Sequence, residues 1–138
     1  MKTKIWHPNK TNIYPDASIG KGCNIACFVE IGKAVIGKNC KIGMGAFIPE
    51  GVTLEDDVFI APNVVFTNDF YPRAKGEWEV KKTLIKKGAS IGANSTILCG
   101  IIIGEKAMIG CGSVVTKDIR PRMVAVGNPA RMVRKVKD

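Results

Sequence analysis

Aliphatic residues recur at every sixth position along most of the chain, and this spacing is its dominant pattern. The series slips by one residue between Ile31 and Ile36 and is interrupted over residues 67–84. Fifteen of its sixteen positions are Ile, Leu or Val. They are Ile13, Ile19, Ile25, Ile31, Ile36, Ile42, Ile48, Leu54, Ile60, Phe66, Ile85, Ile91, Ile97, Ile103, Ile109 and Val115. A period of six fits neither an amphipathic helix nor an alternating strand.

The residues around each aliphatic position predict the shape of the repeat. Glycine often follows the aliphatic residue, as at Gly20 and Gly92, and a small or aliphatic residue such as Cys23 or Ala89 stands four positions after it. Each hexapeptide is therefore predicted to form one short strand and one corner, with its aliphatic side chain inside a narrow prism. Backbone groups of successive coils then pair in parallel. The sequence predicts an all-β parallel solenoid with three short, flat faces.

The interruption over residues 67–84 reads TNDFYPRAKGEWEVKKTL. An insertion in a stacked solenoid has to leave from one corner, so the segment is predicted to form an extruded loop. It combines aromatic residues with charges of both signs, which is more typical of a binding loop than of a linker. Long loops within compact domains are commonly functional. The alternative is a surface excursion that fills a contact between chains.

Composition adds an excess of positive charge to this picture. The 138 residues, taken as a single domain over 1–138, hold 21 Lys or Arg and 12 Asp or Glu, which gives a net charge of +9. A charge of this sign favours an anionic partner. No segment is apolar and long enough to span a bilayer, and the first ten residues lack the apolar core of a secretory signal. We therefore expect a cytoplasmic protein with no membrane partner.

The five cysteines are expected to be packing residues. An odd number of cysteines in a chain without a secretory signal argues against a disulfide framework. Two of them stand four residues apart, a spacing found in zinc sites, but no second pair follows and the chain has one histidine, so no metal is expected. The repeat places Cys23 and Cys40 inside the prism, and Cys27, Cys99 and Cys111 facing outward or toward a neighbouring chain.

The hexapeptide pattern resembles that of the left-handed β-helix acyltransferases, the hexapeptide-repeat family, over residues 11–130. The resemblance implies left-handed coils, acetyl-CoA as co-substrate, and a homotrimer whose active sites lie between chains. The segments GVTLEDDVFIAPN and VVFTNDFYPRA resemble one branch in particular, which N-acetylates nucleotide-linked 3-amino sugars for bacterial surface polysaccharides. The later segments GASIGANSTILCG, IGCGSVVTKDI and VGNPAR match it as well, but many members of the family share them.

The same resemblance implies where the sugar binds. In that branch the asparagine matching Asn68 lies at the active site close to the sugar, so Asn68 is the expected catalytic and sugar-binding residue. Tyr71 and Arg73 of the same loop are expected to bind the nucleotide sugar, dTDP- or UDP-linked. Arg73 either contacts the nucleotide phosphates or pairs with a carboxylate of a neighbouring chain.

The residues themselves favour transfer to an amine. A hydroxyl acceptor usually needs a general base, commonly histidine, and the single histidine, His7, precedes the first coil and is not expected to be catalytic. A deprotonated amine is already a nucleophile, so a positioned acceptor and a weak base suffice. Glu50 and Asp69 are the candidates to hold or deprotonate an ammonium group.

The end of the chain is the expected binding region for coenzyme A. From Lys117 onward it holds seven Lys or Arg and two Asp, and coenzyme A carries a pyrophosphate and a further phosphate. The resemblance places the pantetheine arm along the C-terminal coils, with the phosphates near Arg131 and Arg134. Main-chain N–H groups near three glycines are expected to bind the thioester oxygen or the arm. These glycines are Gly92, Gly110 and Gly112.

Other interpretations stay open at this point. The basic end is alternatively a solubilising tail. Nucleic acid is not the expected anion, because the chain has neither a recognition helix nor an RNA-binding aromatic motif. Within the same fold the acceptor is alternatively a hydroxyl or another small amine. A protein of another class, a non-catalytic β-helix scaffold, also has this repeat.

Overall fold

The structure is a computed structural model that describes residues 1–137. The chain winds as a left-handed parallel β-helix of about seven coils, as the repeat and the family resemblance predict. Apart from one 3-10 turn at Pro8–Lys10, the regular structure of these residues is all strand. The strands are β1 Lys4–Ile5, β2 Asn12–Ile13, β3 Ser18–Ile19, β4 Asn24–Ile25, β5 Glu30–Ile31, β6 Val35–Ile36, β7 Lys41–Ile42, β8 Phe47–Ile48, β9 Val52–Leu54, β10 Phe59–Ile60, β11 Val65–Phe66, β12 Thr83–Ile85, β13 Ser90–Ile91, β14 Thr96–Ile97, β15 Ile102–Ile103, β16 Met108–Ile109, β17 Val114–Val115, β18 Met123–Gly127 and β19 Ala130–Lys135.

Strands three apart in the chain stack into the three faces of the prism. Face 1 contains β1, β4, β7, β10, β13, β16, β18 and β19, face 2 contains β2, β5, β8, β11, β14 and β17, and face 3 contains β3, β6, β9, β12 and β15. The ladders are parallel except the last, where β18 and β19 form an antiparallel hairpin at the end of face 1. We call the bend from face 1 to face 2 corner 1–2, and the bend from face 2 to face 3 corner 2–3.

The aliphatic series fills the prism, as predicted. Equivalent residues stack in register from coil to coil; Ile42, for example, pairs with Ile25 below it and Ile60 above it. Burying such a side chain contributes about 1.5–3 kcal/mol relative to leaving it exposed. The largest fully buried side chains all belong to the series: Phe66, Ile25, Ile31, Ile36, Ile48, Leu54, Ile60, Ile85, Ile91, Ile97, Ile103 and Ile109.

The one-residue slip is absorbed within corner 2–3. Here three residues join β5 to β6, and the N–H of Ala34 donates to the carbonyl of Gly32 at 2.7 Å. The stacking above and below is undisturbed, because Ile36 still pairs with Ile19 and with Leu54.

The cysteines are free thiols, and each lies on the side of the prism wall where the repeat places it. Cys23 and Cys40 are buried in the prism, Cys111 is exposed and Cys27 is partly exposed. Burial raises the pKa of the Cys40 thiol to about 12, so this group is an inert packing residue at neutral pH. Cys99 lies outside the core cluster as well, but its exposed fraction is 1%, because the inserted loop covers the corner where it lies.

Candidate functional site

Residues 67–82 form the extruded loop, which leaves the prism at corner 2–3 between β11 and β12. The predicted loop, 67–84, is two residues longer than the one observed. Thr83 and Leu84 belong to β12, because they extend the ladder of face 3 opposite Val52 and Thr53.

Hydrogen bonds fix the root of this loop to the neighbouring coil. The Oγ1 atom of Thr67 accepts the N–H of Cys99 at 3.0 Å, and the Oγ1 atom of Thr83 accepts the N–H of Gly100 at 3.2 Å. Across the root, the N–H of Lys81 donates to the carbonyl of Asn68 at 3.0 Å. The two ends of the loop are therefore held together and against the prism.

An ion pair lies at the tip of the loop. The Nη1 atom of Arg73 is 3.3 Å from Oδ1 and 3.4 Å from Oδ2 of Asp69, and it also donates to the carbonyl of Tyr71 at 2.6 Å. Its Nη2 atom donates to the carbonyl of Glu77, on the returning limb of the loop, which leads back to β12. The Asp69 Oδ1 atom accepts the N–H of Tyr71 at 3.1 Å as well. Two of the predicted site residues, Asp69 and Arg73, are thus partners of each other.

The loop overhangs a cleft on the side of the N-terminal coils, which we call the lower cleft. Its lining residues are Tyr14, Asp16, Glu30, Gly32, Lys33, Phe47, Pro49, Glu50, Asn68 and Trp78. Asn68 and Glu50 meet here, since the Nδ2 atom of Asn68 donates to the backbone carbonyl of Glu50 at 3.1 Å. Three carboxylates and one lysine line the lower cleft, so it is acidic although the chain carries a net charge of +9.

A second cleft, the upper cleft, lies on the side of the C-terminal coils. It is lined by Phe70, Tyr71, Lys81, Cys99, Gly100, Ile101, Thr116, Lys117 and Asp118. The carboxylate of Asp118 accepts the N–H of Ile102 at 2.8 Å. Lys81 pairs with Glu79, and the hydrogen bond between them raises the pKa of the lysine and lowers that of the glutamate. With two lysines and one aspartate in its lining, the upper cleft is basic.

The three glycines expected on the donor side lie at corner 1–2, on the other edge of face 2 from the loop. Their N–H groups already donate to carbonyls of neighbouring coils. Gly92 donates to Ile109 at 2.8 Å, Gly110 to Ala125 at 2.9 Å and Gly112 to Ala93 at 2.8 Å. Their amides are therefore used by the coil-to-coil ladder, and at Gly92 and Gly110 an added Cβ would meet neighbouring atoms at 2.6 Å and 2.5 Å. At Gly112 an added Cβ would have no heavy atom within 4 Å.

The basic C-terminal residues belong to the hairpin at the end of face 1. Arg131 pairs with Val126, and Arg134 pairs with Val124, in the ladder between β18 and β19. The hairpin turn reaches corner 1–2, where the N–H of Gly127 donates to the Oγ atom of Ser113 at 3.2 Å. Both arginine side chains are exposed.

The predicted site residues thus fall into two groups within one chain. Corner 2–3 brings together Asn68, Glu50, Asp69, Tyr71, Arg73 and Lys117, whereas corner 1–2 holds Gly92, Gly110, Gly112 and the hairpin turn before Arg131. Tyr14 and Lys33 also line the lower cleft and are not among the site residues predicted from the sequence. Both stand at corner 2–3 of earlier coils, so counting back from Glu50 by one and two coils is the signal that finds them.

Some features lie outside both clefts. His7 is exposed at the start of the 3-10 turn and lines neither cleft. Among residues 1–137, no group of three or more His, Cys, Asp or Glu side chains is placed to hold a metal ion. In the same range, no helix has the length and apolar character needed to cross a membrane.

Curated relatives carry out acetyl transfer to hydroxyls and to amines. Galactoside O-acetyltransferase from Escherichia coli (strain K12) is 40% identical over 104 residues, which cover 63% of this chain and 45% of that protein. The dTDP-3-amino-3,6-dideoxy-alpha-D-galactopyranose 3-N-acetyltransferase of Aneurinibacillus thermoaerophilus is 53% identical over 51 residues, which cover 37% of this chain and 27% of that protein. The chain spans less than half the length of either relative.

A solved structure covers nearly the whole chain, and a family match covers more than half of it. A mutant of AntD, an N-acyltransferase from Bacillus cereus in complex with dTDP and coenzyme A, has a TM-score of 0.85 at 26% identity, covering 98% of this chain and 82% of that one. Residues 33–68 and 82–117 match the bacterial transferase hexapeptide family (six repeats), and the gap between the two blocks falls in the loop. Since these blocks make up more than half of the sequence, the chain belongs to the bacterial transferase hexapeptide family.

Proposed function

We propose that the protein is an acetyl-CoA-dependent N-acetyltransferase whose acceptor is an amino sugar linked to a nucleoside diphosphate, dTDP or UDP. The observation that carries the proposal is the loop at corner 2–3, which places Asn68 in an acidic cleft and Tyr71 in a basic one. Relatives support both halves of the reaction, since one acetylates a dTDP-linked 3-amino sugar and a neighbouring structure is an N-acyltransferase bound to dTDP and coenzyme A.

In this proposal the lower cleft holds the acceptor amine. Its carboxylates attract an ammonium group, and the carboxylate of Glu50 is placed to take the proton before attack. Asn68 lines this cleft, and its Nδ2 atom is anchored to the Glu50 backbone carbonyl at 3.1 Å. Asn68 then positions the sugar for attack on the thioester carbon.

The reaction that follows is a simple acyl transfer. The amine nitrogen forms a bond to the acetyl carbonyl carbon, the carbon–sulfur bond of the thioester breaks, and the second amine proton ends on the departing thiol. The phosphates of the co-substrate require positive charge, which Lys117, Arg131 and Arg134 supply. Gly112 leaves open space at corner 1–2, which gives the pantetheine arm room to lie against the coil, whereas Gly92 and Gly110 let the neighbouring coil and the hairpin pack closely beneath it.

The proposal includes a homotrimer with the site shared between chains. Lys117 lies at corner 2–3 but the glycines and Arg131 lie at corner 1–2, so one chain alone does not bring the loop to the glycine corner. Cyclic assembly places one corner of a chain against the other corner of its neighbour.

O-acetylation is the second candidate, favoured by the 40% identity to galactoside O-acetyltransferase. A hydroxyl acceptor usually requires a general base such as histidine. The single histidine, His7, lies in neither cleft, and this arrangement favours the amine.

The proposal is tested by thiol release from acetyl-CoA with dTDP- and UDP-linked 3-amino sugars, a galactoside and a simple amine as acceptors. Release with a nucleotide amino sugar is expected; release with the galactoside alone would replace the proposal with its O-acetylating alternative. Asn68→Ala is expected to lower turnover by on the order of 100-fold, because the acceptor loses its positioning group. Asn9→Ala, in the exposed 3-10 turn, is the matched control and is expected to keep full turnover.

A further inference from the structure

Arg73 joins the two limbs of the loop through one guanidinium group. Its Nη1 atom contacts both carboxylate oxygens of Asp69 and the carbonyl of Tyr71, all on the outgoing limb. Its Nη2 atom donates to the carbonyl of Glu77, on the returning limb. These contacts span residues 69–77, so a single side chain ties the two limbs together near the tip of the loop.

Only arginine has the geometry for this set of contacts. The guanidinium is planar and presents five donors in a fixed fork, so it serves acceptors on two sides at once. A lysine ammonium is a point charge and cannot reproduce the fork. The exposed fraction of the Arg73 side chain is 37%, and exposed ion pairs contribute little to overall stability. The contacts therefore bear on the shape of the loop more than on the stability of the prism.

The shape of the loop decides which side chains face each cleft. Phe70 and Tyr71 on the outgoing limb line the upper cleft, and Trp78 on the returning limb lines the lower cleft. Asn68 lies at the root between them. If the limbs separated at the tip, the side chains facing both clefts would lose their fixed positions.

We propose that Arg73 is a positioning residue that clamps the loop between the two clefts through Asp69, Tyr71 and Glu77, and that it is not a ligand for the nucleotide phosphates. This inference rests on the proposed transferase function for its catalytic consequence. The clamp assigns Asp69 the same role, since its carboxylate is the acceptor that holds both the guanidinium and the N–H of Tyr71.

The contacts of Arg73 argue against a phosphate role. Both of its terminal nitrogens already donate to acceptors within the loop, so binding a phosphate would require it to leave them. The carboxylate of Asp69 stands 3.3 Å from Nη1, and a phosphate placed there would face that negative charge. A clamp needs no such rearrangement.

The kinetic test is a double-mutant cycle on the full chain with acetyl-CoA and the nucleotide amino sugar. Arg73→Ala and Asp69→Ala are each expected to lower kcat/KM by on the order of 10- to 100-fold through kcat, because the reacting groups are misplaced. The double variant is expected to be no worse than the worse single variant, since both changes remove one clamp. Arg73→Lys is expected not to rescue.

If Arg73 instead bound the nucleotide phosphates, each variant would have different kinetics. Arg73→Ala would then raise KM for the nucleotide sugar alone and spare kcat, Arg73→Lys would recover part of the affinity, and Asp69→Ala would leave both unchanged. Effects that multiply in the double variant would overturn the clamp. Lys75→Ala is the matched control, because it removes an exposed cation two residues away in the same loop and is expected to change neither parameter.

A second measurement needs no activity and so separates the clamp from the proposed reaction. Trp78 lies on the returning limb, and the only other tryptophan, Trp6, is removed by Trp6→Phe. Trp78 is already 49% exposed, so the readout is its mobility. In the Trp6→Phe background Arg73→Ala is expected to lower the steady-state fluorescence anisotropy of Trp78, with an unchanged far-UV spectrum, because the limb is no longer tied. Unchanged anisotropy would overturn the clamp, whereas lowered anisotropy in a protein inactive on every acceptor would overturn only the proposed function.

Discussion

At the scale of single residues, the space between neighbouring coils determines which side chains fit at each corner position. A Cβ added at Gly92 would stand 2.6 Å from the backbone nitrogen of Cys111 in the next coil. Gly112, at the same corner one coil further on, faces open space and has a φ of +68°. Asn63 and Asn94 occupy the equivalent position of the two coils below it with φ of 61° and 60°, so this position accepts asparagine.

One substitution at this corner is expected to lower stability, and a second is expected to weaken acetyl-CoA binding instead. Gly92→Ala is expected to lower the free energy of unfolding by about 1–3 kcal/mol, because the new methyl group cannot fit against rigid backbone. Gly112→Asn is expected to change it by less than about 0.5 kcal/mol. Its side chain would nevertheless occupy the space proposed for the pantetheine arm, so acetyl-CoA binding is expected to weaken.

Denaturant unfolding measures the free energy of unfolding of each variant, and calorimetric titration measures its affinity for acetyl-CoA. A folded Gly112→Asn protein that binds acetyl-CoA as tightly as wild type would remove corner 1–2 from the proposed donor site. Equal loss of stability in both variants would contradict the packing argument instead.

Single residues of the repeat could be predicted from the sequence, but those under and within the loop could not. The period alone places Ile25, Ile60 and Cys40 in the prism, because each position is defined by its neighbours one coil away. Cys99 is buried by a segment that the period does not describe. The Arg73–Asp69 pair likewise depends on how the loop folds back, which carries no periodic signal.

At the scale of elements, the loop and the strands beside it are one unit held by two hydroxyl groups. The insertion at corner 2–3 replaces an ordinary turn, and the backbone N–H groups of Cys99 and Gly100 in the next coil receive side-chain acceptors. These acceptors come from Thr67 and Thr83, one at each end of the loop. The sequence predicts that the loop leaves from a corner but not its bounds, because Thr83 and Leu84 fall outside the hexapeptide series while still pairing in β12.

Thr83→Val tests this attachment. Thr83 is 2% exposed, and valine keeps its shape but not its acceptor, so the N–H of Gly100 would be left without its partner. The free energy of unfolding is expected to fall by about 1–3 kcal/mol in denaturant unfolding. The control is Thr96→Val, on face 2 between Val65 and Val114 in the ladder, where the same exchange is expected to cost less than about 0.5 kcal/mol. Equal costs at the two positions would show that the hydroxyl of Thr83 does not hold the loop.

At the scale of the whole molecule, the prism exposes apolar side chains on all three faces. The exposed ones at outward strand positions are Val35 and Ile102 on face 3, Phe47 and Val65 on face 2, and Phe59 and Met108 on face 1. A prism this narrow buries a small share of its surface alone, and apolar outward positions are typical of chains that associate. The predicted site residues lie at two different corners of one chain, and association of chains would bring the two corners together.

Subunit complementation tests whether the site spans two chains. Asn68→Ala removes the loop contribution and Gly112→Asn obstructs the glycine corner, so each variant alone is expected to have little activity. In trimers co-expressed from both variants, some interfaces pair an intact loop with an intact corner from the neighbouring chain. Random assembly makes these about a quarter of all interfaces, so the mixture is expected to regain about a quarter of wild-type turnover. Activity equal to the mean of the two parent variants would place both groups in the site of one chain. Sedimentation of the mixture fixes the number of chains, and a monomer would contradict the shared site outright.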